Sequence, residues 1–374
     1  MTKKILFTFL LFLTTIAFSQ NISLSEKAKV SILTCGLGPE SYAMYGHTGI
    51  RIQDQLQHID VVYNYGAFDF STPNFIGRFI KGDLQYFVTY GSFIDFYYNY
   101  QAENREIIEQ ELNLTPFQIN SLYQQLNYAV YSDERFYTYK FIDRNCTTMV
   151  VDKINKIIGQ EFIKSDQTNL SYREILYPYM SDFYMKLGIQ LIFGAKVDEP
   201  ATRLFLPYEF KNALSKTQVN GNNLEKNNSK ILQVNQAKIP FNWLNSIYSL
   251  LLVVVILVLL NKKWIKISYF IFAGVLGLFF SLVGLYSLHE EILWNYNILL
   301  FNPLLLIFAW YYKKENFEKT LLLGKIILAM LLVYLAYMTT KIHLQIVWPF
   351  MTLHFYWIGK IVLQIKRSKQ STSF

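Results

Sequence analysis

Cysteine is scarce in this chain: Cys35 and Cys146 are the only two among 374 residues. That excludes a scaffold stapled by several bridges, although a single Cys35–Cys146 disulfide stays open in an oxidising compartment. Metal patterns are missing too. The five histidines are scattered, and neither a Cys-x-x-Cys nor a His-x-x-x-His spacing occurs, so the residues spell out no metal site. Gly36-Leu37-Gly38 lacks the third glycine of a phosphate cradle and reads as a turn. No internal repeat is visible.

What the chain has in quantity is apolar sequence at its two ends. Lys3 and Lys4 precede a run from Ile5 to Phe18, and Ala17-Phe18-Ser19 supplies the small residues of a signal-peptidase site. Residues 1–19 therefore read as a cleaved secretory signal, with no cysteine after the site to make the protein a lipoprotein itself. From Trp243 onward come five apolar stretches, at about 243–261, 267–288, 293–312, 320–340 and 345–365. Each approaches the ~20 residues a helix needs to cross ~30 Å of hydrocarbon, which predicts an all-α bundle of about five transmembrane helices.

Charge orients that bundle. Lys262, Lys263 and Lys266 follow the first stretch, Lys313, Lys314 and Lys319 the third, and Lys366, Arg367 and Lys369 the fifth, whereas the alternate loops carry one Lys, Lys341. The positive-inside rule then predicts a multi-pass protein of the cell inner membrane, with its N-terminal domain in the periplasm and its C-terminus in the cytoplasm. The formal +8 belongs to the signal and the membrane tail: residues 20–242 hold 21 basic and 23 acidic side chains. Nucleic acid is not an expected partner.

Residues 20–207 are long enough for one hydrophobic core. Residues 208–242, Asn-rich from Thr217 to Lys238, read as a polar linker to the membrane. Within the domain the pattern is α+β. Lys29 to Cys35 reads as a strand, Thr48–Ile52 and Ile59–Tyr65 as a hairpin, and helices are expected at 115–130 and 146–159, where Val150, Ile154, Ile157 and Ile158 share a face.

Two segments carry the chemistry: Tyr45-Gly46-His47-Thr48-Gly49-Ile50-Arg51 and Asp143-Arg144-Asn145-Cys146-Thr147-Thr148. Cys146 stands where the sequence turns into a helix, so unpaired N–H groups and the helix dipole favour its thiolate, and an imidazole nearby makes that thiolate available near neutral pH. His47 opens a strand whose residues Ile50 and Ile52 face the core. An imidazole also needs an orienting partner. Asp60 and Asn64 lie on the same alternating face of the next strand; Asp60 is weakly favoured, and spacing alone chooses neither. In the membrane tail, His289-Glu290-Glu291, Asn295, Asn297 and Asn302-Pro303 cluster at the outer ends of spans. Polar groups there are costly unless paired or functional, so they pose either a lipid-side binding cluster or helix-to-helix hydrogen bonding.

Four boxes taken together resemble the periplasmic domain of the Bacteroidota-type lipoprotein N-acyltransferases: Leu33-Thr34-Cys35-Gly36-Leu37-Gly38-Pro39-Glu40, the His47 box, Val62-Tyr63-Asn64-Tyr65-Gly66-Ala67-Phe68-Asp69-Phe70, and the Cys146 box. The membrane tail is similar to that family through His289, Asn295-Tyr296-Asn297 and Asn302-Pro303. Tyr45 stands where the family has a Phe, and either ring can pack there.

The resemblance implies a circularly permuted papain-like cysteine domain, with a histidine strand ahead of an Asn-Cys helix as in lecithin:retinol acyltransferase. It implies Cys146 as nucleophile and His47 as base, and it leaves the third residue open between Asp60 and Asn64. Asn145 and Thr147, flanking the nucleophile, are further candidate binding residues. The expected donor is a membrane phospholipid, the acceptor is the α-amine of a diacylated lipoprotein N-terminus, and no cofactor is needed. A periplasmic cysteine amidase or peptidase acting on cell-wall peptides would use the same pair, and a non-catalytic envelope module would be held by the Cys35–Cys146 bridge.

Overall fold

The computed structural model describes residues 23–40, 42–234 and 240–371; the expected signal at 1–19 lies outside them. The strands are β1 (Lys29–Cys35), β2 (His47–Asp54), β3 (Ile59–Ala67), β4 (Gln85–Ser92), β5 (Ile107–Leu112), β6 (Phe136–Thr138), the short pair β7 (Gln218–Val219) and β8 (Asn222–Asn223), and β9 (Glu225–Leu232). Seven of them form one antiparallel sheet in the order β6-β4-β3-β2-β1-β5-β9. Alternation sets its faces. Val30, Ile32, Ile50, Ile52, Tyr63 and Tyr65 bury one side, while Leu33, Cys35 and Val62 bury the other.

Helices cover both sides. The first side packs against α3 (Pro116–Tyr131), α4 (Cys146–Ile158) and α7 (Pro207–Lys216), and the second against Phe96 of α2 (Phe93–Ala102). The remaining helices of this half are α1 (Phe75–Lys81), α5 (Tyr172–Leu176) and α6 (Phe183–Ile192). The α3 start is encoded locally: Pro116 sits at the first helical position, and Thr115 and Gln118 form a reciprocal capping box.

The stretch read as a polar linker is corrected. Residues 207–216 are helix α7, Asn220 and Gly221 turn the β7–β8 hairpin with positive φ of 51° and 81°, and β9 pairs along β5 to complete the sheet. β9 is an edge strand exposed along most of its length. Such a strand gains its backbone ladder without an apolar alternation, so a composition rich in Asn and Lys hides it.

The C-terminal region is helical: α8 (Ile247–Leu260), α9 (Lys263–Tyr286), α10 (Leu304–Lys313), α11 (Phe317–Met338) and α12 (Leu344–Ser371). Among the described residues four of the five expected stretches, as Lys263–Tyr286, Glu290–Lys313, Phe317–Met338 and Leu344–Gln370, are long and apolar enough to cross a membrane, and the first forms the shorter helix α8. α8 has 14 residues, about 21 Å at ~1.5 Å per residue. It ends where Asn261 adopts a left-handed cap. α8 still runs from the domain side, where Tyr184 bonds Ser249, to the far side, where the following Lys263 pairs with Glu315.

The segment Glu290–Lys313 is broken. It consists of two 3-10 turns, Glu290–Ile292 and Tyr296–Leu299, followed by α10. Asn295 and Asn302 accept the N–H groups of Asn297 and Leu304, competing locally with a regular helix. Irregular backbone at this depth needs protein around it. Gly277 of α9 provides the room, because a Cβ there would collide with the Phe301 carbonyl.

Candidate active site

Cys146 is the first residue of α4, and Asn145 is its cap. The Asn145 Oδ1 accepts the N–H groups of Thr147 at 2.8 Å and Thr148 at 3.0 Å, and its Nδ2 donates to the carbonyls of Phe141 and Phe205. All four amide valences are therefore used in holding the helix start. Thr147 is fully buried with its Oγ1 3.0 Å from Thr48 Oγ1, which locks α4 to β2.

β2 brings His47 to the thiol. The Nε2 of His47 lies 3.1 Å from Asn64 Oδ1 on β3, which leaves Nδ1 for the sulfur. Asn64 pairs with Gly49 in the ladder, two residues from His47, and Gly49 leaves space for its amide. Gly66, at φ +100°, crosses above the thiol: a Cβ there would stand 3.5 Å from the Cys146 Cβ.

Asp60 is not brought to the site. It pairs with Gln53 in the ladder and receives Nε and Nη2 of Arg51 at 2.7 Å each. Of the two residues the sequence offered behind His47, the structure places Asn64 there and Asp60 on an arginine.

Electrostatics shape both groups. Burial pushes the Cys146 thiol up, but the His47 charge, its hydrogen bond, the Thr48 backbone N–H and the Thr147 hydroxyl outweigh this and bring it below the ordinary 9.0. Burial likewise opposes charging His47. The Cys146 thiolate, its hydrogen bond and the Asn64 bond overcome that opposition, raising His47 above its usual 6.5. The two shifts are complementary, as in an ion pair whose partners stabilise each other's charged forms. The Thr48 backbone N–H leaves no residue-type signal in the sequence, whereas Thr147, a candidate binding residue, supports the thiolate through its hydroxyl.

Cys35 pairs with His47 in the β1–β2 ladder and is fully buried against Tyr100; both cysteines are free thiols, and burial raises Cys35 to about 12. The alternative Cys35–Cys146 bridge is not formed.

The tail candidates hold the two halves of the protein together. His289 Nε2 donates to the Phe79 carbonyl at 2.8 Å. The side-chain amide of Asn295 donates to the carbonyls of Leu191 and Ile192, and that of Asn297 to those of Gln190 and Leu191, capping the C-terminal end of α6. The Tyr334 hydroxyl donates to Asn297 Oδ1 at 2.7 Å. Buried Glu291 accepts the Ile142 N–H at 3.0 Å on the loop that leads into Cys146. Beside it, Lys140 of the same loop donates to the Leu288 carbonyl.

Among the described residues no group of three or more His, Cys, Asp or Glu could hold a metal ion. Residues 17–177 match the family described as the Lnb N-terminal periplasmic domain, a stretch that includes His47, Asn64 and Cys146. No curated protein and no solved structure matches the chain.

Proposed function

We propose that this protein is a lipoprotein N-acyltransferase of the inner membrane, with a papain-like periplasmic domain and a cytoplasmic C-terminus. The observation that carries the reading is the Cys146–His47–Asn64 arrangement in a domain braced on membrane helices. It joins thiol chemistry to a position beside lipid.

In the first half-reaction the Cys146 thiolate attacks an ester carbonyl of a phospholipid. The C–O bond breaks, His47 gives its proton to the leaving alcohol, and a lysophospholipid departs, leaving an acyl thioester. In the second, the α-amine of a diacylglyceryl-cysteine attacks the thioester and His47 takes its proton. The C–S bond breaks, the thiolate returns and an amide remains. Asn64 keeps Nε2 engaged, so that Nδ1 serves the sulfur throughout. Membrane attachment of donor, acceptor and enzyme raises their effective concentration.

The test is complementation of a strain lacking its lipoprotein N-acyltransferase with wild type, Cys146→Ser and His47→Ala. Mass spectra of a lipoprotein N-terminus should show a third acyl chain with wild type only. Release of cell-wall peptides without acylation, by a protein with a free Cys146, would instead identify an amidase.

A further inference from the structure

The short helix α1 presents an apolar face that the described residues leave in large part uncovered: Ile76 is 72% exposed, Phe79 47% and Ile80 43%, and Phe70 just ahead of it 68%. Isolated exposed apolar residues are ordinary, but a contiguous patch of this kind marks a docking surface. Its place is fixed by unusual bonding. The last carbonyls of a helix lack intrahelical partners. Those of Phe79, Ile80 and Lys81 are met in turn by His289 Nε2 at 2.8 Å, Ser287 Oγ at 2.7 Å and the Leu288 N–H at 2.7 Å. These three residues directly follow α9, which ends at Tyr286. α1 is thus stitched to the end of a membrane span, level with Leu285, Tyr286 and Trp294, which are themselves largely exposed.

From there a row of rings leads to the nucleophile. Phe70 and Phe75 lie 5.1 Å apart, Phe68 is 4.9 Å from Phe70 and 5.8 Å from Phe75, and Phe68 is two residues from Gly66, which crosses over Cys146. Phe68, Phe75 and Cys146 pack against the same core cluster.

Resting on the transferase reading above, we propose that Phe68–Ile80 is an acyl ramp. The apolar face of α1 lies in the outer leaflet, and one chain of a diacyl phospholipid climbs the rings so that its ester reaches Cys146. Aromatic rings suit this task, since they offer large apolar area at the water–lipid boundary. Arg78 and Lys81 flank the face; both are paired with Asp83 at 3.4 and 2.6 Å. The occupant contact is therefore apolar, without a headgroup charge lock.

The test uses full-length Cys146→Ala protein in phosphatidylethanolamine vesicles doped with a phosphatidylethanolamine carrying a diazirine in one acyl chain. After photolysis, peptides covering residues 67–81 should carry lipid adducts. Adducts confined to the spans would overturn the ramp, as would loss of the 67–81 adducts on adding a diacylglyceryl peptide, which would give the face to the acceptor. In the Cys146-containing protein, Ile76→Asp with Phe79→Asp should slow acyl-thioester formation at least about tenfold while iodoacetamide alkylation of Cys146 keeps its wild-type rate. An unchanged thioester rate would overturn the ramp. If wild-type Cys146 takes no acyl group although residues 67–81 are labelled, the transferase reading falls and the lipid contact stands.

Discussion

The His47 Nε2 sits 3.1 Å from the Asn64 Oδ1, so an uncharged amide, and not a carboxylate, stands behind the imidazole. An amide fixes the ring and its tautomer without adding a negative charge. The protonated ring is then stabilised chiefly by the thiolate itself, which ties the state of one group to the state of the other.

Asn64→Ala should lower acyl transfer on the order of 100-fold, the low end of what a positioned acid–base group contributes. Asp60→Asn should leave transfer unchanged, because Asp60 serves Arg51 on the sheet surface. Rates of lipopeptide acylation by both variants in proteoliposomes decide the matter, and the reverse order would return Asp60 to the site.

The direction of the two shifts fixes a pH profile. Lowered Cys146 means that the thiolate appears as pH rises through a value below 9.0, and raised His47 means that the imidazolium persists above 6.5 until its own value is passed. Iodoacetamide alkylation, which needs only the thiolate, should rise and then level. Transfer, which also needs the imidazolium as acid, should fall again on the alkaline side. In His47→Ala the alkylation midpoint should move upward, since burial then acts with one less opponent; a midpoint that stays put would dissolve the pair.

Cys35 should be silent in the same experiment. Buried completely and raised to about 12, it has almost no thiolate at neutral pH. Intact mass after brief alkylation of the native protein without reductant should show one adduct, mapped to Cys146. A second adduct, or none, would contradict the two free and unequal thiols.

Glu291→Ala removes the acceptor of the Ile142 N–H and leaves that donor buried. The loss is about 1–3 kcal/mol, so exchange of the Ile142 amide should quicken roughly 5- to 150-fold. Glu291→Gln retains an acceptor oxygen and should recover most of the protection. Hydrogen exchange of residues 139–145 reads both, and equal protection in all three proteins would show that the brace is idle.

Asn297→Ala deprives the Tyr334 hydroxyl of its acceptor in a fully buried place, while the Leu191 carbonyl keeps the Asn295 amide. That loss should destabilise by about 1–3 kcal/mol. The thermal midpoint in detergent should drop, with the Cys146 alkylation rate below the transition unaltered.

Much of the domain could be read from local pattern. The strands at Lys29–Cys35 and His47–Asp54 and the capped helices at Pro116 and Cys146 carry their own alternation or caps. The misses share a cause, which is partner-dependence. β9 exists because β5 offers an edge, not because its own residues prefer a strand. The break at Trp294–Asn302 follows from asparagines that bond α6 and from Gly277 across the helix pair, neither adjacent in sequence. Asn64 and Asp60 shared a face and differed only in register, and the ladder pairs Asn64 with Gly49 but Asp60 with Gln53. Residue types pointed to the thiol and the imidazole; the third member was a matter of which rung each side chain occupied.

The Glu291–Ile142 bond spans 149 residues of chain. Synthesis at ~5–20 residues per second separates the two ends by roughly 7–30 s. The Cys146 loop therefore leaves the ribosome first and waits for its brace, which arrives only with the loop after α9. The protein is made with its thiol ahead of that thiol's support, and the loop is secured only once the apolar tail has begun to follow.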